Sequence, residues 1–432
     1  MDDSSDWGRL YVNRRCCGAA TCRNLAPELL GEVPTPEGLD ARGPAVLPGS
    51  YAPGAFTGVL RQPRDREEFL AARAAAAACA FGAIEIERPR ALSPHDRLAA
   101  PWADWPRRIE ENVWVLGHPS PRSVGALSYF IERPEGGVLV DLPKPDEALW
   151  AWLEAHGGVR WVFVTHRDNA QHLEELRARF PACQGIIGAA DVNAKASAYF
   201  SVTSGLEVRL DAAAGPWRLD GSPLAEDARA GAEFVILPQP GHTPGTLCLL
   251  YRGRFLFTGD HLSHSRRLGH LVAHRLQCWF DWDLQCASVG RLVTWAEAGW
   301  LRFTWILPAH GDWHRVEGQG DAATTAARLR EGLAWMRRQP SGKVSLLRFV
   351  SYVATRKAPE GRLARVMRAL GGEGGEALLL PAPVRRYLSH PTPARARAAA
   401  RRLLAVGCLV LVTASGLTWL GVRLVGSLGV RP

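Results

Sequence analysis

Four stretches of the sequence carry histidine or aspartate directly after an apolar run. They are WVFVTHRDNAQH with His166, Asp168 and His172, ILPQPGHTPGT with His242, FLFTGDH with Asp260, and WILPAHGDWH with His310. An apolar run that breaks into a polar turn reads as a buried strand ending in a loop. Ligands in such turns suit a metal site, because a sheet fixes their directions while loops leave coordination positions open. Imidazole and carboxylate suit zinc, with iron or manganese as alternatives, and no Cys falls in these turns. Six donors match two divalent metals bridged by a carboxylate, with Asp260 as the bridge. His166, Asp168 and His242 are expected to hold one ion, and His172 and His310 the other. Asp168 and Asp260 are the expected catalytic carboxylates. Asp168 has the alternative of capping its loop, and His172 of facing solvent.

The elements that must carry these turns are legible as periodic segments. Strands are expected at NVWVLG, LSYFIE, GVLVDL, RWVFVT, AEFVILP, TLCLLYRG, RFLFTGD and FTWILPAH, and helices at PDEALWAWLEAHG, AQHLEELRARF and CASVGRLVTWAEAG. The organisation expected is a small module at 1–90, a linker at 91–106, a long mixed region at 107–340, a basic helical region at 341–400 and an apolar segment at 403–422. His261, His264, His270 and His274 form a loose cluster expected to lie at the surface or behind the ligands. Arg266 and Arg267 read as an exposed loop or as a hold on an anionic substrate.

The motifs THxDxxxH, GHTPGT, FLFTGDHL and LPAHG resemble, in order and spacing, those of the metallo-β-lactamase fold, over about 107–315. The resemblance implies an α+β architecture, an αββα sandwich with the metal site at one edge, and Asp141 at the end of GVLVDL supporting that site. It also implies hydrolysis of an ester, thioester, lactone, lactam or phosphoester by a metal-bound hydroxide. The sequence departs from the usual HxHxDH. Asp168 replaces the second His, the loop is one residue longer, and Gln171 stands where an Asp normally precedes the last His. A carboxylate at that position also resembles flavodiiron proteins, so an iron-dependent redox protein and a non-catalytic scaffold remain open beside the hydrolase.

The segment YVNRRCCGAATCRNLAPELLGE, with a later Cys before IEIE, resembles a single-cluster bacterial-type ferredoxin. The pattern falls on Cys16, Ala19, Cys22 and Cys79, so the second cysteine is missing, and Ala80 replaces the usual Pro. A [4Fe–4S] cluster takes four ligands. Three cysteines leave open a [3Fe–4S] cluster, recruitment of Cys17, or a ferredoxin-like domain that has lost its iron–sulfur cluster and serves as a packing surface, which is the reading preferred here. Together the two resemblances point to a metallo-β-lactamase-fold protein with an N-terminal ferredoxin-like domain. Cys183, Cys248, Cys278 and Cys286 read as core residues.

Charge separates the rest. The chain has 432 residues, 47% hydrophobic and 22% charged, with net charge +9. From Arg356 onward stand thirteen Arg and Lys against three Glu, so the basic surplus belongs to the tail. That argues against a nucleic-acid partner for the catalytic part. Leu403 to Val422 carries no charge over 20 residues, about 30 Å of helix. A transmembrane helix is expected there. The preceding RARAAARR places the bulk of the chain in the cytoplasm by the positive-inside rule. The polar opening MDDSSDWGRL reads as no secretory leader, and the nine Cys as reduced thiols. The expected partners are a small-molecule substrate, the membrane and a redox partner.

Overall fold

The computed structural model describes residues 7–13, 16, 18–33, 56–80, 82–87, 101–102, 104–192, 206–275, 278, 280–316, 320–339 and 341. The expected membrane segment at 403–422, Cys17, and all but the first residue of the basic region lie outside them. Among the described residues, no helix is long and apolar enough to cross a membrane.

The N-terminal unit contains β1 (Arg9–Val12), α1 (Thr21–Leu25), β2 (Leu30–Val33), β3 (Phe56–Val59), α2 (Arg66–Ala78) and β4 (Ile84–Glu87). β1 pairs antiparallel with β4, and β2 with β3. Asp65 caps α2 by accepting from the Glu68 amide, which satisfies one of the helix's orphan donors.

A seven-stranded sheet follows. Its strands are β5 (Arg107–Glu110), β6 (Val113–Val115), β7 (Tyr129–Ile131), β8 (Gly137–Val140), β9 (Val159–Phe163), β10 (Gln184–Gly188) and β11 (Val208–Leu210), in the order β11-β10-β9-β8-β7-β6-β5. The helix α3 (Glu147–Ala155) links the parallel pair β8 and β9, and α4 (Leu173–Arg179) links β9 and β10. A second sheet of five strands has the order β12-β13-β14-β17-β18. It comprises β12 (Phe234–Pro238), β13 (Leu247–Tyr251), β14 (Phe255–Gly259), β17 (Trp305–Pro308) and β18 (His314–Arg315). The short pair β15 (Ser263–Ser265) and β16 (His270–Val272) and the helices α5 (Trp282–Glu297) and α6 (Ala322–Arg337) complete it.

Strand periodicity decides the layers. In β7 and β8, Tyr129, Ile131, Val138 and Val140 join Leu249, Tyr251 and Phe257 of the second sheet in one cluster, while Phe130 and Leu139 point the other way onto Leu149 and Leu153 of α3. In β12 and β13, Val235, Leu237, Cys248 and Leu250 turn outward onto Val289 and Leu292 of α5 and Leu329 of α6. The result is the expected αββα sandwich, with an apolar core between the sheets and one beneath each helical layer. Each fully buried aliphatic side chain contributes roughly 1.5–3 kcal/mol. Asp146, Asp281 and Asp321 cap α3, α5 and α6.

The N-terminal unit shares the inter-sheet cluster, with Leu10, Leu25 and Leu30 in the same contiguous core as Val113 and Leu307. Helix α1 is docked by polar contacts as well. Thr21 Oγ1 donates to the Gly125 carbonyl at 2.7 Å, Asn24 Nδ2 to the Gly311 carbonyl at 2.8 Å, and the Gly311 amide to the Ala19 carbonyl at 2.9 Å.

Candidate metal centre

Each candidate ligand follows the end of a strand, and all of these strands end on one side of the sandwich. His166 follows β9, Asp260 follows β14 and His310 follows β17. His242 lies in the turn between β12 and β13. Two close approaches make this convergence sterically feasible. Gly259 has φ +54, and a Cβ there would lie 2.4 Å from Thr165 Oγ1. A Cβ on Gly188 would lie 1.9 Å from the Gly245 carbonyl oxygen, so β10 abuts the His242 turn only as glycine.

His166, His242 and Asp260 bring donor atoms within 4.8 Å of one another. The His166 Nε2 lies 3.8 Å from Oδ2 of both Asp168 and Asp260, and the His242 Nε2 lies 3.9 and 3.7 Å from the same two atoms. A tetrahedral ion with bonds of about 2.0–2.2 Å sets its ligands roughly 3.3–3.6 Å apart. The donors therefore need to close by only a few tenths of an ångström. The Nε2 atoms of His166 and His242 and Oδ1 of Asp168 are buried without a hydrogen-bond partner. Such orphans are costly unless something binds them. The residues fit a divalent ion.

The electrostatics agree. Burial pushes His166 down to about 3 and also lowers His242, so both imidazoles are neutral, as ligation requires. Burial pushes the Asp168 carboxyl up to about 7. For Asp260, burial acts upward, but His310, His166 and His242 outweigh it and hold the carboxyl well below the usual range. His310 Nδ1 sits 2.8 and 2.9 Å from the two Asp260 oxygens. Burial acts downward on His310, yet that carboxylate raises it overall.

The supporting shell begins at Asp141, as expected. Asp141 accepts from the Thr165 amide at 2.8 Å, from Thr165 Oγ1 at 2.9 Å and from Asn169 Nδ2 at 2.9 Å. With its hydroxyl proton given to Asp141, Thr165 Oγ1 accepts from His166 Nδ1, 3.0 Å away. That tautomer leaves the Nε2 lone pair facing the site. Replacing Asp141 with Asn should weaken metal affinity by about 10–100-fold with the fold retained. A competition titration with a chelating dye measures it, and unchanged affinity would exclude this role.

Sequence reasoning missed Asp191. This buried carboxylate accepts from the Arg167 amide at 3.0 Å, Thr243 Oγ1 at 2.6 Å and the Gly245 amide at 2.9 Å. It ties the His166 turn to the His242 turn, and nothing in its own stretch, GAADV, marks it.

One expectation needs correction. His172 is not among the converging donors. It begins α4 with φ 71, and its ring is held between Ser120 Oγ at 2.8 Å on Nε2 and Glu175 Oε1 at 3.1 Å on Nδ1. Both nitrogens are engaged, so the second site expected from His172 and His310 is not assembled. Of the histidines after Asp260, expected at the surface or behind the ligands, His261 and His264 are buried and His270 and His274 half-buried, because β15 and β16 fold that stretch back against the sandwich. Among the described cysteines, Cys183, Cys248, Cys278 and Cys286 are buried, as expected.

No protein-family model and no curated protein matches the chain. Among solved structures, the chain is similar to DIM-1 metallo-β-lactamase exposed to ceftazidime. That likeness has 15% identity over 52% of this chain and 96% of that one, with TM-score 0.36. It is similar to a metallo-β-lactamase from Pontibacter korlensis, at 18% identity over 54% and 99%, TM-score 0.35. A peroxy diiron species of the chemotaxis sensor ODP matches at 13% identity over 57% and 98%, TM-score 0.35.

Proposed function

We propose that the chain is a metal-dependent hydrolase acting on a small ester, thioester, lactone or phosphoester. The carrying observation is the convergence of His166, His242 and Asp260 donor atoms within 4.8 Å, with Asp168 facing both imidazoles. A divalent ion held there would supply Lewis acidity and an acidified water as nucleophile. The four side chains would hold and orient that ion, and Asp260 is kept anionic chiefly by His310 beside it. Asp168 directs Oδ2 at the imidazoles, while its Oδ1 accepts no hydrogen bond and lies 3.7 Å from Arg167 Nε. Oδ1 is the base available to a nucleophilic water. Asp141 and Asp191 fix the turns. His310 positions Asp260 through its Nδ1 contacts. The sandwich is the catalytic domain, residues 7–87 are a docked accessory unit of ferredoxin-like type, and the 403–422 segment tethers the chain to a membrane.

The test is turnover of nitrophenyl esters, a thioester, a lactone and bis-nitrophenyl phosphate by the zinc-, manganese- and iron-loaded chain. His242→Ala is expected to lose metal and turnover together while its far-ultraviolet circular dichroism is retained. Undiminished turnover in that variant, or no turnover by any fully loaded form of the parent chain, refutes the reading. An iron-dependent redox reading draws on the same donor set, since two imidazoles with carboxylates also suit iron. The observation favouring it is the cavity lined by Cys16, Cys22 and Cys79, whose wall residue Ala19 accepts from the Gly311 amide beside His310.

A further inference from the structure

Four of the five residues of α1 are buried, and three of those four are polar: Thr21, Arg23 and Asn24. Burying a polar side chain costs free energy unless its groups are hydrogen-bonded. Here they are bonded to the two loops that flank the His310 ring. Asn24 Nδ2 donates to the Gly311 carbonyl at 2.8 Å, and Asn24 Oδ1 accepts from the Trp313 amide at 3.2 Å. A carbonyl only accepts and a backbone amide only donates, so these two partners fix which way the Asn24 amide points. The Gly311 amide donates to the Ala19 carbonyl at 2.9 Å. Both backbone polar groups of the residue after His310 are thus satisfied by the N-terminal unit rather than by the sandwich. Asp312 Oδ1 meets Arg23 Nε at 2.9 Å. On the other flank, Thr21 Oγ1 donates to the Gly125 carbonyl at 2.7 Å, next to Val124, which adjoins the His310 ring.

This grip reaches the metal centre through one side chain. His310 Nδ1 meets the two Asp260 oxygens at 2.8 and 2.9 Å, and Asp260 Oδ2 lies 3.8 Å from His166 Nε2 and 3.7 Å from His242 Nε2. Before His310 the chain is held by the sandwich itself. The Ala309 amide donates to the Gly259 carbonyl at 2.9 Å, and the Ala309 carbonyl accepts from the Leu127 amide at 3.0 Å. After His310 the sandwich supplies the His264 amide, which donates to the Asp312 carbonyl at 3.2 Å. Gly311 has no side chain with which to anchor the turn. Without the clamp on Gly311 and Trp313, His310 would stand on a turn held firmly at one end. We propose that Asn24 is a positioning residue of the metal centre, holding His310 against Asp260 and so setting the direction in which Asp260 meets the ion. The N-terminal unit is then a working part of the site rather than an appendage to it. The inference rests on the reading of His166, Asp168, His242 and Asp260 as a metal centre, and not on which reaction the ion supports.

The experiment is titration of the full chain with cobalt(II), whose visible absorption reports coordination geometry, beside competition with a chelating dye for affinity. Asn24→Leu keeps the volume and removes both hydrogen bonds. It is expected to weaken cobalt binding about tenfold, the low end of what loss of an outer-shell partner costs, and to change the shape of the cobalt bands. Thr21→Val keeps the shape and loses the contact on the other flank, and it should change the bands by less. Gln62→Ala is the control. Gln62 clamps Leu10 in the same way, accepting from its amide at 2.7 Å and donating to its carbonyl at 2.9 Å, but on β1 instead of the His310 turn. That variant should keep the parent's affinity and spectrum. Should Asn24→Leu fail to fold, Thr21→Val decides alone. Parent affinity and spectrum in the Asn24 and Thr21 variants, or a change in Gln62→Ala as large as theirs, overturns the proposal. A parent chain that binds no cobalt refutes the metal centre itself, and the inference with it.

Discussion

Replacing Asp260 with Asn is expected to lower metal affinity by more than the roughly 10–100-fold that an outer-shell loss costs. Turnover should fall by at least about a thousandfold. That corresponds to about 4 kcal/mol, the several kcal/mol that metal charge stabilisation supplies at a transition state. The reason is geometric. Asp260 is the carboxylate that faces all three imidazoles, with Oδ2 3.8 Å from His166, 3.7 Å from His242 and its oxygens 2.8 and 2.9 Å from His310. Asn keeps the volume but brings no charge, and one of its two polar atoms is a donor that would oppose a cation. His172→Ala is the contrast. It should keep metal stoichiometry, because His172 is committed to Ser120 and Glu175. Metal per chain after dialysis, measured side by side, decides the matter. A metal-depleted His172→Ala beside a metal-replete Asp260→Asn would reverse the assignment of the ligands.

The strand-end turns were legible because both signals in them are local. An apolar run such as FLFTGD announces its strand by composition, and the aspartate in its turn announces chemistry by type. The eight strands and three helices expected around these motifs are all present, although α5 starts earlier than its motif, at Trp282 after the Asp281 cap. What could not be read was direction. The sequence places His172 six residues from His166 and says nothing of the left-handed backbone at its position, which gives its ring to Ser120 from a distant turn. Asp191 was illegible for the same reason. Its partners lie 24 and 52 residues away, and only the fold makes it the joint between two turns. Helix α6 was also missed, its alanine-rich stretch being only weakly amphipathic, although Asp321 and its packing on α5 fix it. The cysteine spacing at 16, 19 and 22 was visible, but sequence could not show that Ala19 shares a wall with three sulfurs.

The largest stability effect is expected at Arg23. Its Nε lies 2.9 Å from Asp312 Oδ1, and the two side chains are 3% and 0% exposed. Arg23 also donates from one terminal nitrogen to the Phe56 carbonyl at 3.3 Å. The pair joins the cysteine-bearing α1 to the residue two positions after His310. Arg23→Ala strands a buried carboxylate, which typically costs about 3–5 kcal/mol. The unfolding free energy from urea titration should therefore fall by that amount, with a lower midpoint. The pair itself is not an efficient source of stability, since both ions lose their hydration. A double replacement, Arg23→Met with Asp312→Leu, should recover most of the loss in unfolding free energy. It should nonetheless release the N-terminal unit from the His310 loop, so that protease cleavage between residues 87 and 101 rises while the sandwich stays intact. If the double variant is as unstable as Arg23→Ala, the contact is a steric fit rather than a charge pair. If cleavage does not rise, the shared apolar cluster alone holds the two parts together.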